Sequence, residues 1–164
     1  WQEGRLADVF EALGELMAGG PSGAAAAEHH GSILQISLIL MRNCVRGAGH
    51  EKWTALSDNL RTRTLERVLH AGEMAQESSP QVSRAAAQTL GMLVAAEFND
   101  GFRTVAEGVL AEAAASPTSF RLSVLAHFLE EATDVPDAML GRTVVTLTSA
   151  FANEQDGAGG AAGG

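Results

Sequence analysis

Tyrosine is absent from the 164 residues, and aromatics of all kinds make up only 5%. A β-sandwich draws heavily on Tyr, Phe, Val and Thr, whereas the Ala- and Leu-rich remainder suits helices packed closely through small side chains. Cysteine occurs once, at Cys44, so no internal disulfide can form, and a reducing compartment (cytoplasm or nucleus) fits best. Cys44 follows Leu38-Ile39-Leu40-Met41 and is expected to be a small buried hydrophobe rather than a nucleophile. Positive charge is scarce: 11 Lys and Arg stand against 20 Asp and Glu, for a net charge of −9. Such a surface cannot displace the counterions of a phosphate backbone, which argues against direct nucleic-acid binding. It favours basic partners, although mild acidity also serves solubility. Long apolar runs are missing too. The longest, Ile33 to Met41, is interrupted by Gln35 and Ser37 and falls far short of the ~20 residues a bilayer crossing needs. No signal-peptide pattern opens the chain. It begins at Trp1 rather than Met, with a helical pattern under way by Arg5, so it is expected to be a fragment of a longer protein.

What is present is a folding composition, 46% hydrophobic and 19% charged, arranged in seven segments of helical period. Leu6, Val9, Phe10, Leu13, Leu16 and Met17 form one stripe, ended by Gly19-Gly20-Pro21-Ser22-Gly23. The second segment, Ala24 to Val45, is apolar nearly all round and is expected to be buried on several sides; its β-branched content leaves a strand open. The third, Lys52 to Ala71, sets Leu56, Leu60, Thr64, Leu65, Val68 and Leu69 opposite a charged face of Asp58, Arg61, Arg63, Glu66 and Arg67. The fourth, Pro80 to Phe98, opens with Ser79-Pro80, a capping hydroxyl before a proline at the first helical position. The fifth follows Asn99-Asp100-Gly101 and carries Phe102, Val105, Ala106, Val109, Leu110 and Ala113. The sixth opens with Ser116-Pro117, carries Phe120, Val124, Leu125, Phe128 and Leu129, and closes at Pro136. The seventh carries Leu140, Val144, Leu147 and Phe151, with a β-branched stretch at Thr143 to Thr148. Residues 154–164 are a Gly/Ala-rich tail expected to be flexible.

Ser79-Pro80 and Ser116-Pro117 lie 37 residues apart, as do Arg84 and Arg121. Paired helices recurring at such a period predict an all-α fold, an α-α superhelix of about three to four hairpins. HEAT and armadillo units run ~40–47 residues and tetratricopeptide units 34, so the period alone does not choose. The tetratricopeptide signature is missing at the repeat, whereas Pro80-Gln81-Val82-Ser83-Arg84 has the proline, valine and arginine of a HEAT first helix. The expected array covers residues 1–153, with a partial first repeat at 5–18, a second at 24–71, a third at 79–114 and a fourth at 116–152.

Within that order, Leu38-Ile39-Leu40-Met41-Arg42-Asn43-Cys44-Val45, then Trp53-Thr54-Ala55-Leu56, Leu60 and Leu65-Glu66-Arg67-Val68-Leu69 resembles the second HEAT repeat of the importin-β (karyopherin-β) superfamily. The likeness is strongest to the branch containing importins four and five. It departs from the family pattern at Asn43 and Cys44, and at His30-Gly31 where an acidic or proline start is usual. The resemblance implies a nuclear transport receptor of nucleus and cytoplasm that binds the GTPase Ran, protein cargo and nucleoporins. The alternative is a HEAT scaffold or adaptor that does not bind Ran.

Catalytic chemistry finds no support. Of the five histidines, none makes a His-x-x-x-His pair, so zinc ligation at helical spacing is not expected, and neither is a cofactor. Glu66 with His70, and His127 with Glu131, are four apart and are expected to be solvated helix-surface pairs. His29-His30 is expected at the surface. Trp53, in phase with Leu56 and Leu60, is expected to pack between repeats rather than to serve as a binding hot spot. The candidate partner-binding residues are those placed on the exposed side of second helices: Asp58, Arg61, Glu66, Glu107 and Glu112.

Overall fold

A computed structural model describes residues 3–19, 24–46 and 50–159. The described residues are all-helical, in eight helices with no strand: α1 (Glu3–Ala18), α2 (Ala24–Val45), α3 (His50–Thr54), α4 (Asp58–Ala75), α5 (Pro80–Asn99), α6 (Arg103–Ala115), α7 (Ser119–Glu131) and α8 (Asp137–Gly159). The packing centres on α5, which touches α2, α3, α4, α6 and α7. Its composition explains that position. Every residue from Thr89 to Phe98 is buried, and Ala86, Ala87, Ala95 and Ala96 keep its girth small, so neighbours approach from all sides. At Gly91 the approach is close: a Cβ there would stand 2.7 Å from His127 Cβ and 2.9 Å from the Phe128 nitrogen. Glycine is the residue that lets the backbone of α7 close on α5.

Around this hub α1 packs on α2 and α4, and α6 on α7 and α8. Polar ties fix the register. Thr89 Oγ1 lies within hydrogen-bond reach of the Ala85 carbonyl of its own helix, at 2.8 Å, and of the Leu38 carbonyl of α2, at 3.1 Å, and Arg42 donates to Gln88. Asn99 Oδ1 accepts from the Thr133 backbone at 2.8 Å, pinning the end of α5 to the end of α7.

Several expectations need correction. The third segment is two helices: Ala55 to Ser57 break it, and Ser57 caps α4 by accepting from the Leu60 amide at 3.4 Å. Ser79 precedes Pro80 as expected but makes no capping bond. Ser116 closes α6 rather than opening the next helix, and Thr118 caps α7, accepting from the Arg121 amide at 3.2 Å. The two Ser-Pro steps are therefore not equivalent in structure, and α7 ends at Glu131, ahead of Pro136. Both β-branched stretches are helical. In α8, Thr143, Thr146 and Thr148 turn their hydroxyls onto the carbonyls of Met139, Arg142 and Val144, which accommodates threonine inside a helix. That helix continues through Gly159, beyond the expected boundary at 153; residues 160–164 lie outside the described residues.

The second segment does span Ala24–Val45, but it is not buried all round. Leu38, Met41 and Val45 are buried, while Ile33, Ile36 and Leu40 are exposed, Ile36 at 58%. At ~100° per residue, Ile36 and Leu40 lie nearly opposite Leu38, the residue whose carbonyl meets α5. In α8 the stripe of Leu140 and Val144 likewise faces outward, and Met139 and Thr143 face the core; the Phe151 side chain lies outside the described residues. No described helix is long and apolar enough to cross a membrane.

Candidate interaction surface

The described interior contains one ion pair with both partners buried, and it organises the surface above it. Glu97 sits on α5 in an otherwise apolar run and is 3% exposed; Arg61 of α4 is 5% exposed. Arg61 Nη1 donates to Glu97 Oε2 at 2.8 Å, and Trp53 Nε1 of α3 donates to Oε1 at 3.0 Å. Both carboxylate oxygens are thus satisfied, which a buried charge requires. Burial pushes the Glu97 carboxyl above its ordinary range, against the opposing pull of Arg61 and the Trp53 bond. Arg61 then reaches outward with Nη2 to Asp58 at 2.6 Å. The fully buried Trp53 ring lies 5.3 Å, centroid to centroid, from Phe10 of α1. This agrees with a packing role for Trp53.

Arg61 was expected on an exposed face, and the structure corrects this. The buried residues of α4 run Leu60, Arg61, Thr64, Val68, Gly72 and Ala75, so Arg61 occupies the core stripe itself. The sequence signal lay on the other helix. Glu97 is the only carboxylate within α5, and an acidic residue amid Leu90 to Phe98 needs a cation from elsewhere.

The remaining candidates are exposed, but they do not share one site. Glu66 of α4 and Glu112 of α6 line the same open groove of about 220 Å³, with Leu90 and Val94 of α5 and Val124 of α7 also lining it. Arg121 borders it, held at 2.7 Å by Glu73 and 4.0 Å from Glu112. Glu66 has no ion-pair partner among the described residues. Glu107 lines a neighbouring groove between α6 and α8, with Leu110 and Val145. Asp58 stands apart at the start of α4, its side chain 93% exposed. The first groove is smaller than the ~300–1,000 Å³ usual for small-molecule pockets. It has room for an apolar anchor of a protein partner, with carboxylates beside it.

Elsewhere, a cleft of about 780 Å³ between α1, α2 and α4 is lined by Met17, Leu34 and Met74 together with His30 and His70. No group of three or more His, Cys, Asp or Glu side chains is placed to hold a metal among the described residues. His127 pairs at 2.8 Å with Glu130, three residues on, rather than with Glu131. Arg84 is exposed whereas Arg121 is ion-paired, so these two arginines, 37 residues apart, differ in role. Cys44 is half-buried against the core, and burial raises its thiol pKa.

No family model matches this chain, nor does any curated protein or solved structure.

Proposed function

We propose that the chain is a stretch of HEAT-type hairpins from a nuclear transport receptor, binding Ran in its GTP form and basic protein cargo through the α4–α6 side. The observation that carries this is the order of helix contacts. One series runs α2 to α5 to α7, and α1 packs on α4 as α6 packs on α8. These contacts support a stack in which α2, α5 and α7 serve as first helices and α1, α4, α6 and α8 as second helices. In this arrangement α1–α2, α4–α5 and α6–α7 contacts join neighbouring hairpins, and the outward stripes of α2 and α8 are faces on which a further layer would pack.

The α4–α6 groove supports protein docking. Its apolar lining and the acidic Glu66 and Glu112 match a basic segment with an aliphatic anchor, and the net charge of −9 steers such a partner inward. The resemblance around Ile33 to Leu69 supplies the transport role.

A pull-down tests it. Immobilised chain is expected to retain Ran loaded with a non-hydrolysable GTP analogue and to release it when Ran carries GDP, and the Glu66→Lys/Glu112→Lys double variant is expected to weaken capture of a basic cargo segment at least tenfold. No retention in either nucleotide state would overturn the transport role and leave a scaffold that does not bind Ran. Undiminished cargo capture by the double variant would overturn the groove.

A further inference from the structure

The turn between α5 and α6 carries an arrangement that the groove does not explain. Phe102, the residue before α6, is 44% exposed. Its ring is backed by Arg61, whose Cζ lies 4.8 Å from the ring centroid. The same guanidinium donates to Asp58 at 2.6 Å, and that side chain is almost wholly in solvent. One buried cation, itself held by Glu97, which Trp53 also bonds, therefore contacts both an exposed aromatic ring and an exposed carboxylate.

We propose that Phe102 and Asp58 form a binding site for an arginine side chain of a protein partner. An aromatic face attracts a cation, and a guanidinium stacks on it better than an ammonium does. Asp58 engages Arg61 through Oδ1 alone, which leaves Oδ2 to accept an N–H from the incoming group. Two carboxylates, Asp58 and Glu97, share one guanidinium, and of the two only Asp58 faces solvent. The neighbouring cation, Arg103, is turned to Phe98, 5.2 Å from that ring's centroid. Because the buried network already fixes the pair, an arriving arginine has little to order. The site rests on the protein-docking role proposed above but shares no residue with the Glu66–Glu112 groove, so either can fail alone.

The test uses the whole 164-residue chain labelled with ¹³C in its phenylalanine rings and with ¹⁵N in its backbone amides, the amides reporting binding by the Phe102→Leu variant and any shift in the Glu66–Glu112 groove. It is titrated with the blocked peptide Gly-Gly-Arg-Gly-Gly and with the same peptide carrying lysine or the uncharged isostere citrulline. The arginine peptide is expected to shift the Phe102 ring signals with saturation in the millimolar range, the lysine peptide to bind several-fold more weakly, and the citrulline peptide to cause no saturable shift. Phe102→Leu, which keeps the apolar bulk, and Asp58→Asn are each expected to weaken the arginine peptide at least fivefold. Should Phe102→Leu lose helical signal, Asp58→Asn carries the comparison, since that side chain is exposed. Equal response to citrulline, undiminished binding by the variants, or arginine shifts confined to the Glu66–Glu112 groove would each overturn the site.

Discussion

At the scale of single residues, Glu97 sets the sharpest expectations. Its carboxylate accepts from Trp53 and Arg61, so Glu97→Ala leaves the buried Arg61 with Asp58 alone and Trp53 Nε1 without its acceptor, and is expected to cost about 3–5 kcal/mol in denaturant unfolding. Glu97→Gln keeps the shape and an acceptor for Trp53, and Asp58 still holds Arg61, so its cost is expected to be smaller. The pH dependence follows from the raised carboxyl pKa. A folded value above the unfolded one means the Glu97 contribution is fully present in acid and is lost as pH rises through the folded value. Against the Gln variant, the native chain is expected to lose relative stability as pH climbs from the ordinary 4.5 upward; a gap that does not change with pH would contradict the assignment. Gly91 gives a second measurement. A methyl group there meets the Phe128 nitrogen and the Val124 oxygen at 2.9 Å, atoms that cannot swing aside. Gly91→Ala is expected to cost about 1–3 kcal/mol despite alanine's better helix propensity.

At the scale of elements, the pattern of apolar spacing located α1, α2, α5 and α6 to within a few residues, because period and breakers there agree. It failed where another effect outweighed period. Ser116-Pro117 looked like a helix start, but Ser116 is spent closing α6 and the Thr118 hydroxyl is the one that reaches a free amide. The α3–α4 break was missed because its residues, Ala55 to Ser57, include neither Gly nor Pro; the Ser57 cap was its sole mark. Stripe and core were also conflated. Leu140 and Val144 form a true helical stripe, yet it faces away from α6, and spacing cannot say on which side a neighbour stands. Of the candidate surface, Glu66 and Glu112 were legible as exposed charges on helices; their meeting across an apolar groove was not, since it depends on how α4 and α6 are set around α5. Phe102 was read only as an apolar position. Its pairing with Arg61 joins residues 41 positions apart in sequence, beyond any local pattern. The orientation of α2 is directly checkable: Ile36→Lys and Leu40→Lys are each expected to change stability by no more than about 0.5 kcal/mol. Leu38→Ala is expected to cost about 2–5 kcal/mol in the same unfolding assay. Reversed magnitudes would mean that α2 presents the other face to α5.

For the whole molecule, stacked hairpins and a closed bundle place stability differently. In a stack each helix is supported by its neighbours alone, so protection falls from the middle to the edges. In a closed bundle the first and last helices complete the ring and share its protection. Here α5 touches five other helices, while α8 makes its main contact with α6 and α1 rests on α2 and α4. The groove, the arginine site and the outward stripes all take their places from that order. Native-state hydrogen exchange measures it most directly. Amides of α5 from Ala86 to Phe98 are expected to exchange slowest, with rates rising outward through α4 and α7 to α1 and α8. Protection of α1 and α8 equal to that of α5 would contradict the stack.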